Sequence, residues 1–246
     1  MAIAIDASSP SIATQTNGAT ATVTTASFTP PSGSTLLVAW SGNTAAGVDP
    51  AQPTITDNLG TPLTYTLSDW SHRGDGPAAD GQAAYWTAPV ASSAAMTVTV
   101  TNQASSGNRH AAIKVYVLTG VTAPAVGANG KSGSTSAGSI AQNYTAEATG
   151  GWGFIATCDW DVMGAQTAGT GCTRDGSANV GTAITYGFLR RTSADDVNTS
   201  TNTLNVTLPG TSTSLRWTYA EAMPSAAAAV SDPPTLRRNV GALLQM

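Results

Sequence analysis

The chain has 246 residues, of which 41% are hydrophobic and only 10% are charged, and its formal net charge is −4. A chain of this length can bury a substantial core, as one large domain or two small ones. The acidic balance and the scattered basic residues argue against nucleic-acid binding, because phosphate binding needs clustered Lys and Arg. No segment has the length and apolarity of a transmembrane helix, so membrane insertion is not expected.

The first residues, Met1 to Asp6, lack the basic start and the sustained apolar run of a secretory signal. We therefore expect synthesis in a cytoplasm without a signal peptide. Residues 1–19 are predicted to form an N-terminal segment that precedes the main domain.

From residue 20 onward the sequence has the pattern of short strands. Alternating Thr and apolar residues in 20–28 and 35–40 predict two strands, with a tight turn at Pro30 to Gly33 between them. Further strands are expected around residues 63–67, 82–88, 96–101, 111–118, 152–158, 183–191, 203–208 and 214–222. These segments show no helical periodicity. The chain is therefore predicted to be all-β, with a jelly-roll-like antiparallel β-sandwich.

Segments of the second half repeat segments of the first half in the same order, while the loops between them vary. The matching pairs are Phe28–Trp40 with Tyr144–Ala156, Met96–Thr101 with Thr203–Leu208, and Ile113–Val117 with Leu215–Tyr219. Such a pattern indicates an internal pseudo-duplication. We predict a sandwich over residues 20–225 with two similar halves, about 20–120 and 130–225. One domain is favoured, because neither half alone would bury much of its surface, but one sandwich or two stays open.

Four of these segments also resemble a β-sandwich module of bacteriophage virion proteins, especially the minor tail proteins of actinobacteriophages, and of adhesin-like surface proteins. The segments are Asp57–Tyr65, Ala84–Pro89, Met96–Val100 and Val115–Gly120. The resemblance covers roughly residues 20 to 222. It implies a virion structural protein, located in the virion, that acts as a minor tail component in assembly or host contact. A capsid decoration protein is the alternative in the same class, and no catalytic residue is implied.

The last segment, residues 226–246, is predicted to leave the sandwich as an extended C-terminal docking arm, because the proline pair at 233–234 favours extended backbone. Apolar residues then recur at spacings of three and four, which places them on one side of a short helix. We expect the arm to dock on other virion proteins through Leu236, Arg237, Arg238, Val240, Leu243, Leu244 and Met246. A frayed terminus is the alternative. The symmetry of phage particles predicts a homo-oligomer or a symmetric array.

The chain carries no catalytic signature. Its only histidines are His72 and His110, and neither belongs to a Gly-x-Ser-x-Gly or a His-Glu-x-x-His motif. We therefore expect no enzymatic activity, no catalytic residues and no cofactor. A small hydrolase that uses two carboxylates is the remaining alternative of this class.

Two loops carry weaker signals. Residues 73–75 spell the integrin-type tripeptide Arg-Gly-Asp inside a polar, Gly-rich loop. Acidic residues with oxygen ligands for calcium are Asp69, Asp75 and Asp80 in this loop, and Asp159 and Asp161 further on. The ligand spacing of a calcium-binding loop is missing from both places, so we expect solvated loops and no metal site.

Tryptophans in these Asp-rich loops suggest a second class of function. Flat aromatic rings can stack on the apolar faces of sugars, and Trp70 and Trp160 are the candidates for contact with a host surface glycan. A carbohydrate-binding module is thus the alternative of another class. A core or subunit-interface position is the competing explanation for each ring.

The two cysteines, Cys158 and Cys172, leave two alternatives open. A disulfide between them would close a short loop and would stabilise the fold by roughly 3 kcal/mol. Two reduced thiols are more typical of a protein made in a cytoplasm.

Overall fold

The structure of the chain is a computed structural model, which describes residues 2–18, 22–43, 47–76, 79–103, 109–161, 164–182, 184–193 and 199–225. The strands of the first half are β1 (Ala4–Ile5), β2 (Ala13–Gly18), β3 (Thr22–Thr24), β4 (Thr35–Asn43), β5 (Ala51–Asp57), β6 (Thr66–Ser71), β7 (Gly81–Pro89), β8 (Val98–Gln103) and β9 (Arg109–Thr119). A one-turn 3-10 helix, η1 (Arg73–Asp75), lies between β6 and β7.

The strands of the second half are β10 (Val121–Ser134), β11 (Ala137–Thr145), β12 (Trp152–Asp159), β13 (Thr167–Ala168), β14 (Cys172–Val180), β15 (Ile184–Arg191), β16 (Thr201–Ser212) and β17 (Leu215–Pro224). The predicted all-β fold is therefore confirmed. In the described ranges we find no helix with the length and apolarity needed to cross a membrane.

The two halves have the same strand order. In the first half, an inner sheet runs β9-β4-β7-β6, with β1 and β2 both paired to the outside of β9, and an outer sheet runs β3-β8-β5. In the second half, the inner sheet runs β10-β17-β12-β15-β14 and the outer sheet runs β11-β16-β13. Each strand from β3 to β9 thus has a counterpart eight strands later, and the single long strand β10 replaces β1 and β2. The internal duplication is visible in this topology.

The four sheets form four layers. The two inner sheets pack face to face around a central core that includes Leu37, Tyr85 and Tyr116 from the first half and Phe154 and Phe188 from the second. Each outer sheet covers the other face of its own inner sheet. Each half is therefore a β-sandwich, and the two sandwiches share the central core.

The outer cores show why the sequence forms these strands. All nine residues of β4 are buried, because Trp40 and its alternate neighbours face the outer sheet while Leu37 and Ala39 face the central core. Strands buried on both faces carry continuous apolar runs. In β8, by contrast, Val98 and Val100 point inward and the threonines between them point outward, as expected for a sheet with one solvated face.

The sequence matches between the halves identify the right elements. Each of the three matching pairs lies in counterpart strands, or just before them. The registers of the first two matches need a correction. In the second match, the end-to-end alignment places buried Val100 on exposed Thr207. In the first match, the strand pairing gives the register. Leu36 pairs with Val117, and Ile155 pairs with Tyr219, the residue that matches Val117. Leu36 therefore corresponds to Ile155, and not to Trp152 as an end-to-end alignment of the two segments gives.

Parts of the predicted organisation stay predictions. The strand orders do not establish the jelly-roll arrangement, which stays a prediction. The boundary at residue 19 is also untested, although β1 and β2 pair with β9 in the first inner sheet. The predicted docking arm, residues 226–246, lies outside the described residues.

Candidate functional site

Eight strands end at the same end of the molecule. Ser41 Oγ donates to the carbonyl of Thr157 at 2.7 Å, and Cys158 Sγ donates to the carbonyl of Gly42 at 3.0 Å, so the carboxyl ends of β4 and β12 lie side by side. Antiparallel pairing then brings the carboxyl end of every even-numbered strand to this same end. We call it the loop end, and it contains both Asp-rich loops singled out in the sequence.

Helix η1, which holds the Arg-Gly-Asp tripeptide, is tied down at the loop end. His72 caps its first turn, and Asp75 Oδ2 accepts a hydrogen bond from the backbone N–H of His72 at 3.0 Å. Asp49 Oδ1 accepts from the N–H of Gly74 at 2.8 Å and lies 2.6 Å from His72 Nδ1. The His72 interaction, together with the Gly74 N–H, lowers the pKa of Asp49. The tripeptide is thus a capped structural turn.

The acidic residues of this loop have basic partners. Lys131 Nζ lies 2.9 Å from Asp75 Oδ1 and 3.5 Å from Asp69 Oδ1, and Arg73 forms an ion pair with Asp80. These ion pairs place a positive charge beside each of the three carboxylates. In the part of the chain that the structure describes, no group of three or more His, Cys, Asp or Glu residues is placed to hold a metal ion.

Arg216 joins this loop to the second half. The residue is fully buried in β17, and its guanidinium donates to the carbonyls of Ala79, Gly76 and Arg73 at 3.2, 2.9 and 3.1 Å. A guanidinium presents several donors in a fixed plane, which suits three carbonyls that converge from one loop. Lys131 and Arg216 belong to the second half, and so both attach η1 to the opposite sandwich. Sequence analysis missed both residues, although the chain has only two lysines.

Trp70 and Trp160 both lie half-buried at the loop end. The Trp70 ring stacks on the His72 ring with centroids 3.9 Å apart, and its Nε1 donates to Gln82 Oε1 at 3.1 Å. The Trp160 N–H donates to the carbonyl of Ser214 at 3.0 Å. His72 covers one face of the Trp70 ring, which gives that residue a packing role. Glycan contact by the two rings remains a prediction.

Asp159 and Asp161 hold the turn between β16 and β17. Asp159 is almost fully buried, and its Oδ1 accepts from Ser212 Oγ at 2.7 Å. Asp161 Oδ1 accepts from Thr213 Oγ1 at 3.0 Å. Burial raises the pKa of Asp159, against the lowering effect of the Ser212 hydrogen bond. Both carboxylates therefore stabilise a turn of the second half.

A second polar cluster lies between the two inner sheets. Asp175 Oδ1 is 3.0 Å from Arg190 Nε, and its Oδ2 accepts a hydrogen bond from Tyr116 Oη at 3.0 Å. Lys114 Nζ donates to the carbonyl of Pro10 at 2.7 Å and lies 5.5 Å from the centre of the Tyr116 ring. Burial raises the pKa of Asp175, although Arg190, Tyr116 and Lys114 act in the opposite direction. This cluster also joins the halves, because Tyr116 and Lys114 belong to the first one.

Both cysteines are free thiols. Cys158 is buried in the central core, and burial raises its pKa to about 12. Cys172 packs against the outer core of the second half, where its Sγ accepts from the N–H of Asn205 at 3.2 Å. The two side chains thus contact different cores.

The arrangement as a whole holds the halves together and offers no assembled nucleophile, base and oxyanion site that we can identify among the described residues. Comparison with known proteins finds no matching family model, no matching curated protein and no matching solved structure.

Proposed function

We propose that the chain is a structural protein of a bacteriophage virion, and specifically a minor tail component that serves assembly or host contact. The observation that carries the proposal is the set of charged contacts at the loop end. In a chain with 10 basic and 14 acidic residues, Lys131 and Arg216 of the second half bind one loop of the first half, and Arg73 pairs with Asp80 within that loop. Such a double sandwich is a rigid building block, which is what a particle component needs.

The test of this proposal is the location of the protein in purified particles. An antibody raised against the chain should label the tail in electron micrographs, and mass spectrometry should detect the chain in the same particles. Label over the head would favour the capsid decoration alternative. Absence of the chain from washed particles would overturn the virion proposal altogether.

The docking arm is tested in the same particles. Removing residues 231–246 should abolish incorporation, and replacing Leu243 and Leu244 by Asp should do the same if apolar burial drives docking. An Asn239→Asp variant is a matched control, because it adds a negative charge to the same segment without removing an apolar side chain. Normal incorporation of the truncated chain would remove the arm from the proposal.

A carbohydrate-binding function is the second candidate, and the placement of Trp70 and Trp160 at one end of the molecule favours it. Glycan-array binding that is lost in the Trp160→Ala variant, with unchanged melting temperature, would support host contact through sugars. Equal binding by the wild type and the variant, or no binding by either, would discard the role of Trp160.

A further inference from the structure

The outer sheet of the first half presents a regular grid of threonines. In one row, Thr101 of β8 pairs with Thr22 of β3 on one side and with Thr54 of β5 on the other. In the next row, Thr99 pairs with Thr24 and with Thr56 in the same way. The four threonines on β3 and β5 are exposed, and the two on β8 lie half-buried between them. We call this surface the threonine face.

The grid has two nearly constant repeats. Neighbouring strands in a sheet lie about 4.8 Å apart, and alternate residues along a strand lie about 6.7 Å apart. Within each row the hydroxyls of β3 and β8 lie closer together than the strands, at hydrogen-bond distance: Thr24 Oγ1 is 2.9 Å from Thr99 Oγ1, and Thr22 Oγ1 is 3.3 Å from Thr101 Oγ1. The β-branched side chain restricts rotation about χ1, so each methyl and hydroxyl is held in place before any ligand arrives.

The chemistry of the threonine face excludes most partners. Its third row contains Ala26, Thr97 and Asn58, which are also uncharged. Without charge the face has nothing to attract phosphate, a lipid headgroup or an ionic peptide. Without an aromatic ring in these rows it lacks the usual platform for stacking on a sugar.

The size of the face argues against a second protein. Three strands span about 14 Å, and six residues of β8 span about 20 Å, so the face covers about 300 Å². A specific protein interface buries about 800 Å² on each partner. The partner must therefore be one that compensates for a small area by fitting every hydroxyl and methyl of the grid at once.

We propose that the threonine face binds the surface of ice. An ice surface is flat, uncharged and periodic in two directions, with repeats similar in size to those of the grid. The hydroxyls can take the places of water molecules in such a layer, while the methyl groups order the water between them. The proposal is independent of the virion role, because it uses neither the loop end nor the arm.

The second half repeats this surface only in part. Its row Ser139, Thr207 and Thr167 also carries three hydroxyls, but the next row has Asn205 with Ala141 beside it. Residues 169–170 pack next to Asn205 and leave a groove of about 300 Å³ on the outer sheet. The flatness and the uniform hydroxyl spacing are therefore lost, and we assign ice binding to the first half alone.

The experiment is the growth of a single ice crystal in a solution of the purified full chain. We expect a gap between the melting and the freezing temperature of the crystal, faceted crystal shapes, and enrichment of the protein in a slowly growing ice hemisphere. Thr99→Lys should abolish all three effects, because it places a charged chain at the centre of the grid. Thr203→Lys is the matched control on the other outer sheet and should keep them.

Circular dichroism and the melting temperature establish that both variants remain folded, and Thr24→Lys on the edge strand provides a second disruption of the grid. Wild-type protein that leaves crystal growth as it is in buffer and is excluded from the ice hemisphere would overturn the proposal. Equal loss of activity in Thr99→Lys and Thr203→Lys would overturn the assignment to this face.

Discussion

Asp175 lies largely buried between the two halves, with Arg190 and Tyr116 as its partners. The loss of hydration at such a site opposes the charged form, and here it outweighs the attraction of two nearby cations, since the pKa of Asp175 is raised. Asp175 and Arg190 both belong to the second half, so the contact between the halves at this cluster is made by Tyr116, whose hydroxyl donates to Asp175.

The raised pKa of Asp175 has a definite consequence for stability. Between the ordinary aspartate value of about 3.9 and the raised value, the folded state binds more protons than the unfolded state, so this residue makes stability fall as the pH rises through that window. Asp175→Asn stays neutral and keeps an acceptor for Tyr116. We expect it to be at least as stable as the wild type at pH 7 in urea unfolding. A loss above about 1 kcal/mol would mean that the ion pair is net stabilising.

His110 changes the stability with pH in the opposite direction to Asp175. The residue is buried beside Gly181, where a Cβ would lie only 2.6 Å from the imidazole Cε1, and no hydrogen-bond partner for its Nδ1 is found among the described residues. Burial lowers the pKa of His110, so the unfolded state binds the proton more readily. Stability is therefore lost as the pH falls below the ordinary histidine value of about 6.5.

The corresponding variant is His110→Gln, which does not titrate. Urea unfolding at pH 7 and pH 5 should show a smaller drop in the free energy of unfolding for the variant than for the wild type. His72→Gln, in the half-buried cap of η1, serves as the comparison. An identical pH dependence of the wild type and His110→Gln would show that protonation of His110 does not control stability.

Among the elements, η1 depends most on the other half. It is a single 3-10 turn, and turns of this length are not stable alone. The guanidinium of Arg216 donates hydrogen bonds to three backbone carbonyls in and after the turn. Lys131 forms an ion pair with Asp75. The conformation of an exposed loop is in this way determined by a strand of the opposite sandwich.

Removing the guanidinium should release η1. In Arg216→Met the three carbonyls lose these donors, and we expect the free energy of unfolding to fall by about 3 kcal/mol. Trypsin should then cut after Arg73 faster than in the wild type. Arg216→Lys should restore this protection only in part, because an ammonium does not reproduce the planar donor set. Unchanged cleavage in Arg216→Met would show that other contacts hold the turn.

The elements also show where sequence patterns are informative. Strands such as β4, β8 and β12 were predictable, because their apolar runs or alternation are local. Strand β10 was not, because its glycines reflect distant neighbours: a Cβ on Gly130 would lie 2.9 Å from the Tyr219 ring, and one on Gly133 would lie 2.8 Å from Arg216. Strand β14 was not predicted, because its sequence contains Arg174 and Asp175 and lacks an apolar alternation; the structure turns Asp175 toward Tyr116 of the central core. The Arg216 contacts were unpredictable for the same reason, since they cross between the halves.

On the scale of the whole molecule, the central core makes the two sandwiches one unit. Residues such as Tyr116 and Phe154, whose rings lie 4.9 Å apart, are buried only when both halves are present. Each half alone would expose a large apolar sheet. The prediction of one domain made of two similar halves has its physical basis here, although the shared core could not be seen in the sequence.

This shared core predicts a single cooperative unfolding transition. Phe154→Ala should lower the free energy of unfolding of the entire chain by about 3 to 5 kcal/mol, with one transition and equal calorimetric and van't Hoff enthalpies. Leu204→Ala, which removes a side chain from the outer core of the second half, should also shift one common transition. Two separate transitions in either variant would indicate that the halves unfold independently.

Eight strands end at the loop end, and this has an evolutionary consequence. Insertions and substitutions there change one tip of the molecule and leave the paired strands in register. A lineage can therefore diversify what this tip meets, while the stacked body that supports it is inherited unchanged.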